Sequence, residues 1–264
     1  MSGKNLPSVA DVRDVILQRG WMVIEGVVDA PLLERMRSEI ETAYLRCRDI
    51  QIKNGIPDNN EWTVHHLIGQ GDSWMDFVAG FPFVEHLEAL FDGKFILNSF
   101  GGSKNGPGTR SYAHNIHRDI RTHSGDTRLI LNTLIMLDDF TPENGATWLM
   151  SGGQKVIEKP SEEEFAARAE QATGKAGSFL IFDSHLWHRA GVNQTDRHRR
   201  SVTPMFSRPF MKQQFDYPRV IGYQNQHKLT ETAQQIIGFH SRVPSTLEAW
   251  YQPPEKRMYR PGQG

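Results

Sequence analysis

Apolar residues follow two rhythms along the chain, and the change comes near residue 94. In the first ninety residues they recur every three or four positions. Val9, Val12, Val15 and Ile16 share one helical face that ends at Gly20. A strand follows over WMVIEGVV. Asp29-Ala30-Pro31 then offers an N-cap and a first-turn proline, opening a helix through Leu33, Met36, Ile40, Ala43 and Leu45. The segments Ser73–Val78 and Pro82–Phe91 predict two shorter helices.

Beyond residue 94 the apolar residues come in short runs: KFILNSF, LILNTLIML, ATWLM, GSFLIF and SVTPMFS. Turn clusters such as GGSKNGPG, TPENG and GVNQTD separate them. Short strands with frequent turns predict a β-sandwich or barrel, not alternating βα units. The stretch SEEEFAARAEQ, residues 161–171, predicts a helical insertion opened by a Ser-x-x-Glu capping box. Leu229–Ile237 reads as a helix. The Pro- and aromatic-rich tail after it is expected to be ordered by packing of Trp250, Tyr251 and Tyr259. The expected fold class is mainly β with flanking helices, in a single domain. Residues 1–93 are mostly helical and pack on a β core over 94–210, and 211–264 extend it.

Composition changes this picture little. Of 264 residues 38% are hydrophobic and 23% charged, enough for one sizeable core. The formal net charge of -1 gives no electrostatic case for nucleic acid or a membrane surface. Cys47, the single cysteine, cannot form an intrachain disulfide. No apolar leader or spanning run is present, and Met1-Ser2-Gly3 lacks the second-position glycine of a myristoyl acceptor. A cytoplasmic setting is therefore expected.

The chemistry-bearing residues lie in the second half. In HNIHRDI, His117 and Asp119 are two apart, so on a strand both side chains point to one face while Arg118 points away. A carboxylate and an imidazole suit Fe(II), and a distal histidine, His188, completes a facial triad with coordination positions left open. FDSHLWHRAGVNQTDRHRRSVTPMF reads as two strands around a polar turn, Asn193–Asp196, a hairpin that brings Arg199 close to His188. Arg199 and Ser201 share a strand face and can hold a carboxylate by a guanidinium fork and a hydroxyl. A keto acid chelating the iron at one end needs such an anchor at the other.

These residues resemble the phytanoyl-CoA dioxygenase family of Fe(II)/2-oxoglutarate oxygenases. The likeness runs from GWMVIEGVVD through His117-Arg-Asp119 and LDDFTPENGATWLMSGG to FDSHLWHRAGVNQTDRHRRS. Trp187-His188, Gly191, Asn193 and Arg199 stand where the family motif has them. The resemblance implies a double-stranded β-helix (jelly-roll, cupin-like) core. It also implies iron on His117, Asp119 and His188, 2-oxoglutarate on Arg199, and O2 as oxidant. The implied reaction is hydroxylation of a small molecule, with release of succinate and CO2. Halogenation would need a small residue in place of Asp119; desaturation or ring closure would use the same ligands. Ser151-Gly152-Gly153-Gln154 replaces the family's Pro-Gly-Ser-His, and Leu134 and Ile135 stand where an aromatic residue is common.

Other residues have two readings each. His114 and His185 pair with His117 and His188 at i, i+3, which on helices would suit zinc. The strand-like surroundings favour substrate contact, support of a ligand or a structural role. Asp183 could replace Asp119 but falls on the opposite strand face. Asn98 and Thr133 are candidates for 2-oxoglutarate contact or for structural hydrogen bonds. Arg121 and Arg128, with Lys104, Arg110, Arg118, Arg197, Arg200, Arg208 and Lys212, form either a solvated face or the recognition surface of an anionic substrate. Trp62, His65, His66 and Trp74 either line a substrate mouth or fill the core. The 101–112 loop is either a lid or simply mobile. The competing class is a metal-binding isomerase or a non-catalytic ligand-binding barrel, for which Arg199 has no use.

Overall fold

The computed structural model describes residues 6–56 and 62–264. Met1–Asn5, and with them the myristoylation reading, lie outside the described residues. The helix α1 (Val9–Gln18) is capped by Ser8, which accepts from the Asp11 N–H. The strand β1 (Trp21–Ile24) is half as long as its apolar run predicts. Gly26 takes φ +64°, and the Val27 and Val28 amides both donate to Gly177 O, ending the ladder. Asp29 caps α2 (Ala30–Lys53), which outruns the predicted face because no breaker precedes Gly55. Its last turns carry exposed Ile50 and Ile52 and a Lys53–Asp49 pair one turn apart.

A short β2 (Thr63–Val64), the helices α3 (Ser73–Ala79) and α4 (Val84–Phe91), and a long β3 (Ile96–Asn105) follow. Next come β4 (Ile130–Met136), β5 (Thr147–Met150), α5 (Glu162–Arg168), β6 (Ala169–Ala172), β7 (Phe179–Asp183), β8 (His188–Arg189) and β9 (Arg199–Ser207). The Ser161–Glu164 capping box forms on both sides, but the insertion turns to strand at Ala169, where β6 pairs with β5. The tail holds α6 (Tyr217–Ile221), α7 (Glu231–Ile237) and α8 (Leu247–Trp250). Its expected aromatic packing is realised only at Tyr259, which is half-buried, whereas Trp250 and Tyr251 are 61% and 76% exposed. Polar bonds also hold the tail, among them the reciprocal Gln235–Gln263 amide pair.

The strands form two sheets, antiparallel throughout. One runs β1-β7-β4-β9-β3-β2 and the other β6-β5-β8. The helices cover one face of the larger sheet, and the smaller sheet covers the other. A Phe-rich core joins Phe77, Phe81 and Phe83 from the helical part to Leu131, Ile135, Ile181 and Phe206 on the larger sheet. A second core between the sheets contains Trp21, Leu134, Met136, Phe140, Leu149, Leu180 and Phe182. Successive residues of β4 and β7 thus enter different cores, as the two-residue strand period requires. The chain is mainly antiparallel sheet with flanking helices around a double-stranded β-helix. Among the described residues no helix is long and apolar enough to cross a membrane.

Candidate metal centre

His117, Asp119 and His188 converge, although the local structure differs from the strand that the His-x-Asp spacing suggests. His117 sits in an extended segment and makes a single bridge to His188. Each residue's amide donates to the other's carbonyl, at 3.0 and 2.9 Å. This bridge places the imidazoles side by side, with centroids 4.3 Å apart. Asp119 Oδ1 lies 3.6 Å from His117 Nε2, and Asp119 Oδ2 lies 3.6 Å from His188 Nε2. One donor atom from each residue falls within 4.8 Å of the others, the only such group of three among the described residues.

The two imidazoles are oriented alike. His117 Nδ1 lies 2.8 Å from Asn115 O, and His188 Nδ1 lies 2.9 Å from Leu186 O. A carbonyl only accepts, so each Nδ1 carries the proton and each Nε2 lone pair faces Asp119. Burial pushes the His188 pKa down, and His117 adds to this while Asp119 opposes it. Asp119 Oδ2 also accepts from the side-chain amide of Asn132 on β4. Sequence reading named Thr133, for 2-oxoglutarate contact or a structural hydrogen bond, and passed over Asn132.

Arg199 reaches the same cavity by another route than a hairpin. After β7 the chain leaves the larger sheet, contributes β8 to the smaller one, and returns as β9 between β4 and β3. His188 and Arg199 therefore face each other across the sandwich, not along one ribbon. Both line a cavity of about 400 Å³ with His117, Asp119, Asn132 and Ser201. Arg199 is 3% exposed. Its Nη1 donates to Gly145 O at 2.5 Å, its guanidinium carbon lies 4.0 Å over the Phe140 ring, and its Nε has no partner. Burial draws its pKa down to about 10, which Asp138 partly offsets, so it stays charged at neutral pH. The Gly145 carbonyl is held where it is by close backbone approach. A Cβ on Gly145, at φ +79°, would lie 2.3 Å from Gly191 O, and one on Gly191 would lie 2.6 Å from Ala146 O.

Ser201 lines the cavity, its hydroxyl 3.1 Å from that of Ser103 on β3. Thr133 borders the cavity but shares the strand face of Leu131 and Ile135, and its hydroxyl donates to Pro204 O at 2.5 Å. Asn98 is not among the cavity residues. It sits at the β3 bulge, and its amide donates to Ser207 Oγ and Lys212 O, both at 3.1 Å. His185 and Arg128 are drawn to Asp183 instead of the cavity: His185 Nδ1 lies 3.2 Å from Asp183 Oδ1, and Arg128 Nε lies 3.2 Å from Asp183 Oδ2. Burial would raise the Asp183 pKa, but the His185 hydrogen bonds and the Arg128 charge leave it lowered.

Arg121 is exposed, and His114 turns its Nδ1 onto Ser111. Neither lines the cavity. Lys104 and Arg200 are paired with Glu41 and Asp138. Of the four residues read as a possible mouth, His65 and His66 line the cavity. Trp74 is core, and Trp62 stacks on Tyr44. His66 holds φ +56°, stacked on Phe215 at 4.3 Å and 3.1 Å from the Tyr217 hydroxyl. Residues 101–105 of the expected loop belong to β3, and Gly108 donates to Asn193 O. The segment is thus tethered, with Tyr112 and Ala113 closing one side of the cavity. Ser151 and Gln154, at the departure from Pro-Gly-Ser-His, bond to Trp21 Nε1 and to the α1 carbonyls of Leu17 and Gln18.

The chain is 32% identical to an uncharacterised protein of Mycobacterium tuberculosis over 275 residues, covering 99% of this chain and 98% of that protein. It is 26% identical to the dioxygenase cdmA of Talaromyces verruculosus, covering 89% and 85%. In fold it is similar to EctD from S. alaskensis with bound Fe, at a TM-score of 0.60 and 17% identity, over 78% of this chain and 79% of EctD. EctD with 2-oxoglutarate and 5-hydroxyectoine gives a TM-score of 0.59 at 17% identity, over 78% of each chain. The model of the phytanoyl-CoA dioxygenase (PhyH) family matches residues 16–201, and this chain belongs to that family.

Proposed function

We propose that this protein is an Fe(II)- and 2-oxoglutarate-dependent dioxygenase that hydroxylates a small molecule, releasing succinate and CO2. The observation that carries the reading is Arg199. A buried guanidinium without a carboxylate partner is costly, and one that lines a cavity and keeps an unpartnered Nε fits an anionic ligand. The His-Asp-His donor set beside it suits Fe(II) and leaves coordination positions open. The fold neighbour EctD carries Fe in one structure and 2-oxoglutarate in another, which agrees with this assignment.

In this reading His117, Asp119 and His188 hold the iron, and Arg199 takes the far carboxylate of 2-oxoglutarate, with Ser201 beside it. When bound, the iron supplies oxidative decarboxylation of the keto acid and an oxidant for the substrate's C–H bond. The chain's own part is to orient and to exclude water. The carbonyls of Asn115 and Leu186 fix the histidine tautomers, Leu134 and Phe182 line the cavity with apolar surface, and the Phe140 ring packs against the Arg199 guanidinium. Recognition of an anionic substrate by Arg121 and Arg128 finds no support, since one is exposed outside the cavity and the other is bound to Asp183.

The test is anaerobic addition of Fe(II) and 2-oxoglutarate, read by the weak visible charge-transfer band of an iron-chelated keto acid. The wild type should develop the band, and Arg199→Ala should require far more 2-oxoglutarate to do so. A wild type that binds iron but gives no band at saturating 2-oxoglutarate would return the protein to the class of non-oxygenase barrels.

A further inference from the structure

Asp119 has two oxygens, and their surroundings differ. Oδ2 accepts from the side-chain amide of Asn132. A carboxylate can only accept, so the amide must present its N–H, and the orientation of Asn132 follows from chemistry. Asn132 is 4% exposed and lies on β4, between β7 and β9 in the middle of the six-stranded sheet. Its backbone is fixed by pairing with Phe182 on one side and Met205 on the other. Asp119, by contrast, belongs to an irregular segment with no strand partner of its own, and its side chain is 36% exposed. The residue fixed in the sheet therefore holds the one outside it.

We infer that Asn132 is a positioning residue for the metal site. It ties Asp119 Oδ2, so that Asp119 meets the ion through Oδ1 and acts as a one-oxygen ligand. A carboxylate free to rotate could chelate through both oxygens and fill a coordination position that the co-substrate and O2 need. Hydrogen bonds of this kind to a ligating carboxylate commonly set metal affinity by about 10–100-fold. This inference rests on the metal-site reading of His117, Asp119 and His188 and goes one residue beyond it.

The experiment uses Co(II) as the probe, because its visible d–d bands report coordination number without turnover. Co(II) affinity and spectra are measured for the wild type, Asn132→Leu, Asp119→Ala and the double variant, with the melting temperature of each metal-free protein. Asn132→Leu should weaken Co(II) binding about 10–100-fold and alter the d–d bands. In the Asp119→Ala background the same change should have no further effect on affinity, because its target is gone. Asn132→Ser serves as a second, smaller replacement should the Leu variant fold poorly. Unchanged affinity and bands in a folded Asn132 variant would overturn the inference, as would an equal weakening with and without Asp119. Failure of the wild type itself to bind Co(II), or full binding by Asp119→Ala, would instead overturn the metal-site reading and this role with it.

Discussion

The two faces of the six-stranded sheet are built from the same strands and behave as different materials. On the helix side, Leu131, Ile135, Val202 and Phe206 interlock with Phe81, Phe83 and Phe95. On the side of the smaller sheet, Asn132, Arg199 and Ser201 alternate with those same residues and face a cavity. There a guanidinium nitrogen is buried without a partner. One face is a packed core whose worth is stability; the other withholds some of its bonding for a ligand. Two adjacent positions on one strand can therefore carry unrelated burdens, and substitutions should separate along that line.

The largest effect is expected on the cavity side. Asp119→Ala removes the only carboxylate of the triad. Succinate formation coupled to substrate should fall by at least about 1,000-fold, on the order of 4 kcal/mol in the barrier. The melting temperature should barely move, since Asp119 is partly exposed. A variant that keeps full coupled activity would remove Asp119 from the ligand set. The counterpart on the helix side is Phe206→Ala. The Phe206 ring lies 5.0 Å from Phe81 and 5.3 Å from Phe95, and truncation should cost about 3–5 kcal/mol of stability. Denaturant unfolding measures this loss. The 2-oxoglutarate affinity of the folded fraction should be unchanged.

Arg199→Ala should show the smaller, mixed signature of a group kept for binding. Loss of a charge-assisted anchor is worth about 1.5–3 kcal/mol, or roughly 10–100-fold in 2-oxoglutarate affinity by titration. Stability should hold or rise, because an unpaired buried charge is removed. A large loss of stability with unchanged affinity would make Arg199 a structural residue.

How far the sequence could show this depends on the kind of interaction. Strand-rich character after residue 94, the Ser161–Glu164 capping box and the Asp29 cap were legible because each is local. The triad was legible through spacing and family motif. The route that joins it was not. His188 and Arg199 are close in sequence and on different sheets, a fact of topology that no local pattern encodes. Arg128 and His185 looked like cavity residues because nothing local reveals that Asp183 holds both. The loop at 101–105 looked mobile from its glycines, yet the close approach of Gly102 to Ser201 O is a strand contact that requires them.

The finest test of the two-faced sheet is the neighbouring pair Asn132 and Thr133. A shift of one position along a strand exchanges faces, so LILNTLIML leaves open which polar residue meets the site. Thr133 faces the helix side and donates its hydroxyl to Pro204 O. Pro204 has no N–H to offer, and the β4–β9 register passes from Asn132–Met205 to Ile135–Val202 without a pair between. The hydroxyl thus mends a gap in the sheet. Thr133→Val keeps the shape, removes that bond and should cost about 1 kcal/mol of stability. Its Co(II) affinity, 2-oxoglutarate affinity and turnover should match the wild type. If Thr133→Val instead weakened 2-oxoglutarate binding, with stability unchanged, β4 would be turned the other way round, and Asn132 would lose its place beside Asp119.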